Sequence, residues 1–329
     1  MASGLEAGSL SEIAVRFARA TDRERVLAFC AHTWDDGDYI ADVWDHWLSG
    51  TSGSLLVAAE SDRPVGVIHA RMVADEEGWI EGLRVDPAYR RAGVGRMLVS
   101  RALAAAQSLG AQTVRYLTGA TNVASQQLFA RFAFTRVAEL VRYRGGVQES
   151  GTSPRDAAPV TRLNESVATA MRAFTYAGAL GGGHLRVVTP GEFEHVWEWL
   201  MQSNLSPFNG GLEMGNWTAR ALTEPRLRHY LTAGEVLALE EWETILALAI
   251  VRQPARNDDQ RPRLSVRYMD GQAEAIGRLA LTLRMIAANM DATEVEVWLP
   301  DLLILRDAMA GAGYEMDPEG AMWVHVRDF

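Results

Sequence analysis

The first half of the chain alternates between two hydrophobic periods. Ile13, Val15 and Phe17 recur every second residue, as a half-buried strand requires, and after Asp22 the apolar positions Val26, Leu27, Phe29 and Cys30 recur at helical spacing. A second helical stretch is expected over residues 39–48. Residues 55–59 and 65–73 predict two strands around the turn Ser61-Asp62-Arg63-Pro64, and residues 79–85 a third, stopped by Asp86-Pro87. A long helix over 95–109, a strand over 113–117, a helix over 125–131 and a strand over 134–143 complete this half.

Residues 144–159 are rich in Gly, Ser and Pro and read as linker; a helical piece over 163–176 leads to the joint Gly181-Gly182-Gly183. The pattern then restarts. A strand over 185–188, a helix over 192–201 and a helical segment over 217–231 precede a strand pair over 236–251, joined by a tight acidic turn. A strand over 263–268, a long helix over 276–290, a strand over 294–299, a short helix and a last strand over 322–326 follow. This order repeats that of the first half, so the chain is expected to carry one mixed α/β module twice. Each module would be a mixed, mostly antiparallel sheet flanked by helices. The expected limits are a tail over 1–12, a first domain over 13–144, a linker over 145–183 and a second domain over 184–329. A length of 329 residues suits two domains.

Composition narrows the function mostly by exclusion. Net charge is −10 and no basic tract occurs, which argues against nucleic acid and is compatible with a cationic small substrate. No apolar run is long enough to span a bilayer, and the first dozen residues lack the basic start and apolar core of a signal peptide. The single cysteine, Cys30, rules out an intramolecular disulfide and fits a reducing compartment, so the cytoplasm is the expected location. The seven histidines show no spacing that would hold a metal. Lysine is absent, and every basic side chain is arginine.

The chemistry concentrates between the third strand and the long helix. Leu83, Arg84, Val85, Asp86 and Pro87 run into Arg90, Arg91, Ala92, Gly93, Val94, Gly95 and Arg96. A Gly-rich turn opening a helix leaves backbone N–H groups unpaired where the macrodipole also favours anions. Glycines let the backbone approach a pyrophosphate, and three arginines add charge. The spacing is not that of a dinucleotide fold, and no Gly-Lys-Ser/Thr is present.

Two motifs together carry a family resemblance. Val85-Asp86-Pro87 with Arg90-Arg91-Ala92-Gly93-Val94-Gly95 closely resembles the acyl-CoA loop of GNAT (GCN5-related) N-acetyltransferases. Asn122, Ser125, Leu128, Phe129, Arg131, Ala133 and Phe134 resemble that family's second motif, over a stretch of resemblance covering residues 13–144. The resemblance implies acetyl-CoA as co-substrate. Amides of Arg91 to Gly95 would hold the pyrophosphate, the backbone of Leu83, Arg84 and Val85 would pair with the pantetheine arm, and Asn122 and Ser125 would line its other side. Asn122 also reads as a helix cap. Where the family often places a Tyr that protonates the CoA thiolate, this chain has Phe129, which leaves Tyr116 on the neighbouring strand as a substitute acid; buried packing is the plainer reading of Tyr116.

Glu81 is the candidate base, since a carboxylate inside a strand is otherwise hard to justify; Trp79, Glu81, Leu83 and Val85 would share one face at period two. Trp34, Asp35, Asp36, Asp38 and Tyr39 lie where the family keeps acceptor-binding loops, and carboxylates beside aromatics suit a cation; a solvated loop with Asp38 as helix cap is the plainer reading. In the second half, Asp270 to Gly277 falls opposite the loop with only one glycine of the loop's pair retained, no arginine and two acids, and Leu302 falls opposite Asn122. The second module is therefore expected to bind no CoA. The segment Asn204 to Gly211 is too irregular for core and is a candidate to reach the other domain. The expected function is transfer of an acetyl group from acetyl-CoA to a primary amine of a small molecule or peptide, by direct attack in a ternary complex. The alternative is a non-catalytic acyl-CoA sensor or scaffold. The oligomeric state stays open.

Overall fold

The computed structural model describes residues 13–31, 33, 37–51, 53–147, 183–252, 262–290 and 292–329. The tail over 1–12 and the helix expected over 163–176 lie outside them. The chain forms two compact units, one of Met1–Tyr116, Asn122–Thr135 and His325–Phe329, the other of Leu117–Thr121 and Arg136–Val324.

The first unit runs β1 (Ile13–Phe17), α1 (Arg23–Cys30), α2 (Ile40–Leu48), β2 (Ser54–Glu60), β3 (Arg63–Ala74), β4 (Glu77–Val85), α3 (Val94–Ser108), the start of β5 (Thr113–Gly119) and α4 (Val123–Ala130). Strands β1 to β4 form an antiparallel meander, and β5 joins β4 in parallel after the α3 crossover. Much of β2 and β3 is buried on both faces, hence their nearly continuous apolar runs. On one face α3 lays the stripe Val94, Leu98, Ala102 and Ala106, at i, i+4 spacing, against Leu56, Ile68, Ile80 and Val114. On the other, Val26, Cys30, Trp44 and Trp47 of α1 and α2 cover Leu55, Val57 and Val67. Burial pushes the Cys30 thiol up to about 12, so it is an inert core residue. Phe17, expected on the buried face of β1, is 60% exposed at the strand end.

Two details of this sheet position the site. The β2–β3 turn is tighter than expected, with only Ser61 and Asp62 at positive φ and Glu60 already opposite Arg63. More consequential is a bulge in β4. Val67 pairs with Arg84 and His69 with Glu81, so β4 carries one extra residue between them, where Gly82 takes φ +67°. The bulge breaks the period of two expected over 79–85. Glu81 faces the α1–α2 side with His69, whereas Leu83 and Val85 turn to the α3 side. Pairing of β4 with β5 also stops at Trp79↔Arg115, leaving the rest of that β4 edge without a strand partner.

The second unit contains most of β6 (Thr135–Gly146), then β7 (His184–Val187), helix Phe193–Met201, the short helix Ser206–Asn209, β8 (Leu212–Gly215), β9 (Thr218–Ala221) and helix Glu224–Ala233. It continues with β10 (Val236–Glu241), β11 (Thr244–Arg252), β12 (Arg263–Gly271), helix Ala273–Ala288, β13 (Glu294–Pro300), helix Leu303–Gly311 and most of β14 (Glu315–Asp328). Antiparallel pairing of β7, β10, β11 and β12, then parallel β12–β13, repeats the pattern of β1 to β5. Three expectations are corrected. Residues 217–221 are not helical: β8 and β9 form a hairpin with Asn216 and Trp217 at positive φ in its two-residue turn, and the helix starts only at Glu224. Gly145 and Gly146 are not linker, because β6 pairs with β13 up to Gly146↔Glu294. The last five residues belong to the first unit, where the Phe329 N–H donates to the Gln112 carbonyl. The segment around Asn204 is built into the second unit, with Leu205 and Asn209 buried and Gly210 close against the Val137 carbonyl.

Candidate active site

The loop between β4 and α3 is fixed from its first residue. The buried Asp86 carboxylate accepts from the Ala88 N–H at 3.0 Å and pairs with Arg25, and Pro87 opens a 3-10 turn to Tyr89, whose hydroxyl donates to Glu60 at 2.5 Å. Arg91 then takes φ +65° and Gly93 φ +85°, and the chain enters α3. The Ala92 N–H is engaged with the Tyr89 carbonyl and the Met97 N–H with Gly93. No acceptor among the described residues takes the N–H of Gly93, Val94, Gly95 or Arg96. Of the amides expected to hold pyrophosphate, Ala92 is thus occupied. A Cβ at Gly95 would lie 3.2 Å from Leu128, so this glycine lets α3 and α4 approach. Arg90, Arg91 and Arg96 are exposed around the amides. Free amides, a helix N-terminus and exposed guanidiniums form an anion cradle.

The bulge beside this loop gathers a polar cluster. Glu81 Oε1 accepts from Arg71 Nε at 2.8 Å and faces His69 Nδ1 at 3.0 Å. Burial pushes the Glu81 carboxyl up, but His69 and Arg71 outweigh it and hold the group below its ordinary range. His69 is fully buried, its ring stacked on Trp47 at 4.4 Å, and burial holds its pKa below the ordinary value. A neutral His69 therefore donates from Nδ1 to Glu81, while its buried Nε2 has no hydrogen-bond partner among the described residues. Glu81 keeps 19% of its side chain exposed. Trp47 and the Tyr39 hydroxyl close over Gly82, where an added Cβ would meet the indole at 2.7 Å.

The acceptor-side candidates divide. Trp34, Asp35 and Asp36 lie outside the described residues. Asp38 is not available to a cationic ligand: it accepts from Arg84 Nε at 2.6 Å and from the Ile40 N–H at 3.2 Å, at the start of α2. Tyr39 is exposed, edge-on to Trp47, with the Arg84 guanidinium over its ring. Asn122 is the cap of α4, its Oδ1 accepting from the Ser125 N–H at 3.1 Å. Tyr116 is a core residue of the first unit. Its ring is buried in a stack, 3.8 Å from Phe129 and 4.7 Å from His325, and burial drives its hydroxyl well above the usual tyrosine range. His325 arrives on the last residues of the chain, and no local sequence signal pointed to it.

Residues 20–134 match the model of the acetyltransferase (GNAT) family. This segment is a GNAT-family domain. Solved GNAT structures share the fold over nearly the whole chain. A GCN5-related N-acetyltransferase from Sphaerobacter thermophilus aligns over 96% of this chain and 95% of its own, at 13% identity and TM-score 0.55. A candidate acetyltransferase from Thermoplasma acidophilum aligns over 96% and 100%, at 16% identity and TM-score 0.52. No curated protein sequence matches the chain.

Within the GNAT fold the second unit lacks the anion cradle. Only Gln272 separates β12 from helix Ala273–Ala288, where β4 and α3 are joined by residues 86–93. The two acids expected to face phosphate do not do so as a pair. Asp270 is buried and accepts from Ser203 at 2.6 Å and Tyr268 at 2.7 Å, whereas Glu274 sits in the first helical turn. Leu302 precedes helix Leu303–Gly311 and supplies no side-chain cap, unlike Asn122. No helix among the described residues is long and apolar enough to cross a membrane, and none of them group as three or more candidate metal ligands.

Proposed function

We propose that the first unit is an acyl-CoA-dependent N-acyltransferase acting on a primary amine by direct attack in a ternary complex. The unpaired amides of Gly93, Val94, Gly95 and Arg96, ringed by Arg90, Arg91 and Arg96, carry this reading. They fit the pyrophosphate of acetyl-CoA, which when bound supplies an activated thioester. The open edge of β4 at Leu83, Arg84 and Val85 offers backbone groups to the pantetheine arm, with Ser125 and the capped start of α4 opposite.

Glu81 serves as the base. Unlike the fully buried His69 it keeps part of its side chain exposed, and it removes a proton from the attacking ammonium through a water. His69 and Arg71 are positioning residues that fix its rotamer and keep it ionised. The new bond joins the amine nitrogen to the acyl carbon, and the carbon–sulfur bond breaks. The Leu83 N–H, in the part of β4 beyond its pairing with β5, would donate to the developing oxyanion. A CoA thiol has a pKa of about 8.5, so its thiolate leaves without a dedicated acid. The packing of Tyr116 is consistent with that. Tyr39 and Trp47, rather than Asp38, offer the acceptor a wall. The second unit is a GNAT-like module without a donor site.

A free-thiol assay with acetyl-CoA across amino acids, polyamines, aminoglycosides and peptides tests this. Glu81→Gln should bind acetyl-CoA normally and lose about 10²-fold or more in turnover. If no amine in the panel releases CoA from the wild-type protein, the remaining reading is an acyl-CoA sensor.

A further inference from the structure

Gly82 is buried at the bulge of β4, and the space its missing side chain leaves is filled by Trp47. Cη2 and Cζ3 of the indole lie 2.7 Å from where a Cβ would stand, so the ring rests on the strand backbone itself. Trp47 is locked in that position. It is 4% exposed, its ring stacks on His69 at 4.4 Å with 16° between the planes, and Tyr39 meets it edge-on at 6.0 Å. His69 is in turn held by Glu81 at 3.0 Å. A close-packed interior yields little to an added methylene, so the indole is a stiff wall.

With the donor seated as proposed above, on which this inference rests, the reacting carbonyl lies between the Leu83 N–H and the side of β4 where Glu81 serves the amine. Those two residues bracket Gly82 in sequence. The sulfur leads back toward the loop after β4, and the amine enters from the Glu81 side. The acyl chain is left with the direction along β4 toward the start of the strand. There the splay closes. Trp79 pairs with Arg115, and Ile80 and Tyr116 are 2% and 3% exposed within one core cluster. On the α2 side of the strand the remaining route is blocked by Trp47.

We infer that Trp47 sets the acyl-chain length of the donor, admitting acetyl and excluding butanoyl and longer chains. Apolar pockets discriminate a single methylene by about 10- to 200-fold, and a wall that cannot yield turns that preference into a length limit. The ring that borders the acceptor thus borders the acyl group as well. Because His69 joins Trp47 to Glu81, one cluster both aims the base and sizes the donor.

Calorimetric titration of the intact chain with acetyl-CoA and with butanoyl-CoA tests this, alongside the free-thiol assay run with both donors. Wild type should bind butanoyl-CoA about tenfold or more weakly than acetyl-CoA, and favour acetyl-CoA about 10²-fold or more in kcat/KM. Trp47→Leu keeps an apolar side chain and opens room beside Gly82. Both ratios should then fall to about threefold or less, whatever the variant's rate with acetyl-CoA. Trp47→Phe, a smaller change in case the leucine variant does not fold, should move both ratios the same way. The gate is refuted if wild type treats the two donors alike, or if the folded variants keep the wild-type ratios. Binding of neither donor would overturn the donor site and the gate together.

Discussion

A single carboxylate, Glu81, is held by two donors of different kinds, and that decides how it responds to pH. One is the Arg71 guanidinium, and the other is His69, neutral because it is buried. Both ionisable groups titrate below their unfolded values in the folded chain. The unfolded chain therefore binds more protons in each interval, and stability rises with pH. Stability should be full above about pH 6.5, fall as pH drops from there toward the folded pKa of His69, and fall again below about 4.5 as Glu81 protonates. Urea midpoints measured from pH 8 to 3.5 check this, and His69→Gln should remove the upper phase. Tyr116 gives the opposite kind of prediction. Packed between Phe129 and His325, its hydroxyl is dispensable for chemistry, so Tyr116→Phe should keep turnover within about threefold, the free-energy scale of a minor contact.

Glu81 was legible in the sequence because a carboxylate inside an apolar strand needs an explanation. His69 was not, since only the bulged register of β3 and β4 brings it to Glu81 across an interval of 12 residues. The Asp38–Arg84 pair, 46 residues apart, was hidden for the same reason. An acidic loop looks free until its arginine is found.

Among the elements, the bulge and the loop after it do the positioning. Gly82 reverses which face β4 presents, so Glu81 points to the α2 side while Leu83 and Val85 pack under α3. A side chain there meets Trp47 and must also hold a positive φ, so Gly82→Ala should cost about 2–4 kcal/mol in chemical unfolding. Turnover should fall more than stability, because Glu81 would be re-aimed. The loop itself was readable from its glycines, arginines and the helix that follows. The bulge was not, since a strict alternation of Trp79, Glu81, Leu83 and Val85 is the simplest reading of β4. The helical segment expected from Trp217 onward fails for a similar reason, because Asn216 and Trp217 form the tight turn of a hairpin.

At the scale of the molecule, the same succession of strands and helices occurs twice with different connections at one point. The first unit spends residues 86–93 between its fourth strand and long helix; the second spends Gln272 alone. The repeat was visible in the order of elements. The assignment of β6 to the second unit and of residues 325–329 to the first was not, because strand periodicity says nothing about which neighbour a strand will pair with. The proposed function therefore implies one acyl-CoA site per chain in a protein built twice. Calorimetric titration of the intact chain with acetyl-CoA tests this most directly. One site per chain is expected, with affinity reduced about tenfold or more in Gly93→Val, where a β-branched residue cannot hold φ +85° without strain. Two sites per chain, no binding, or binding indifferent to Gly93→Val would contradict it.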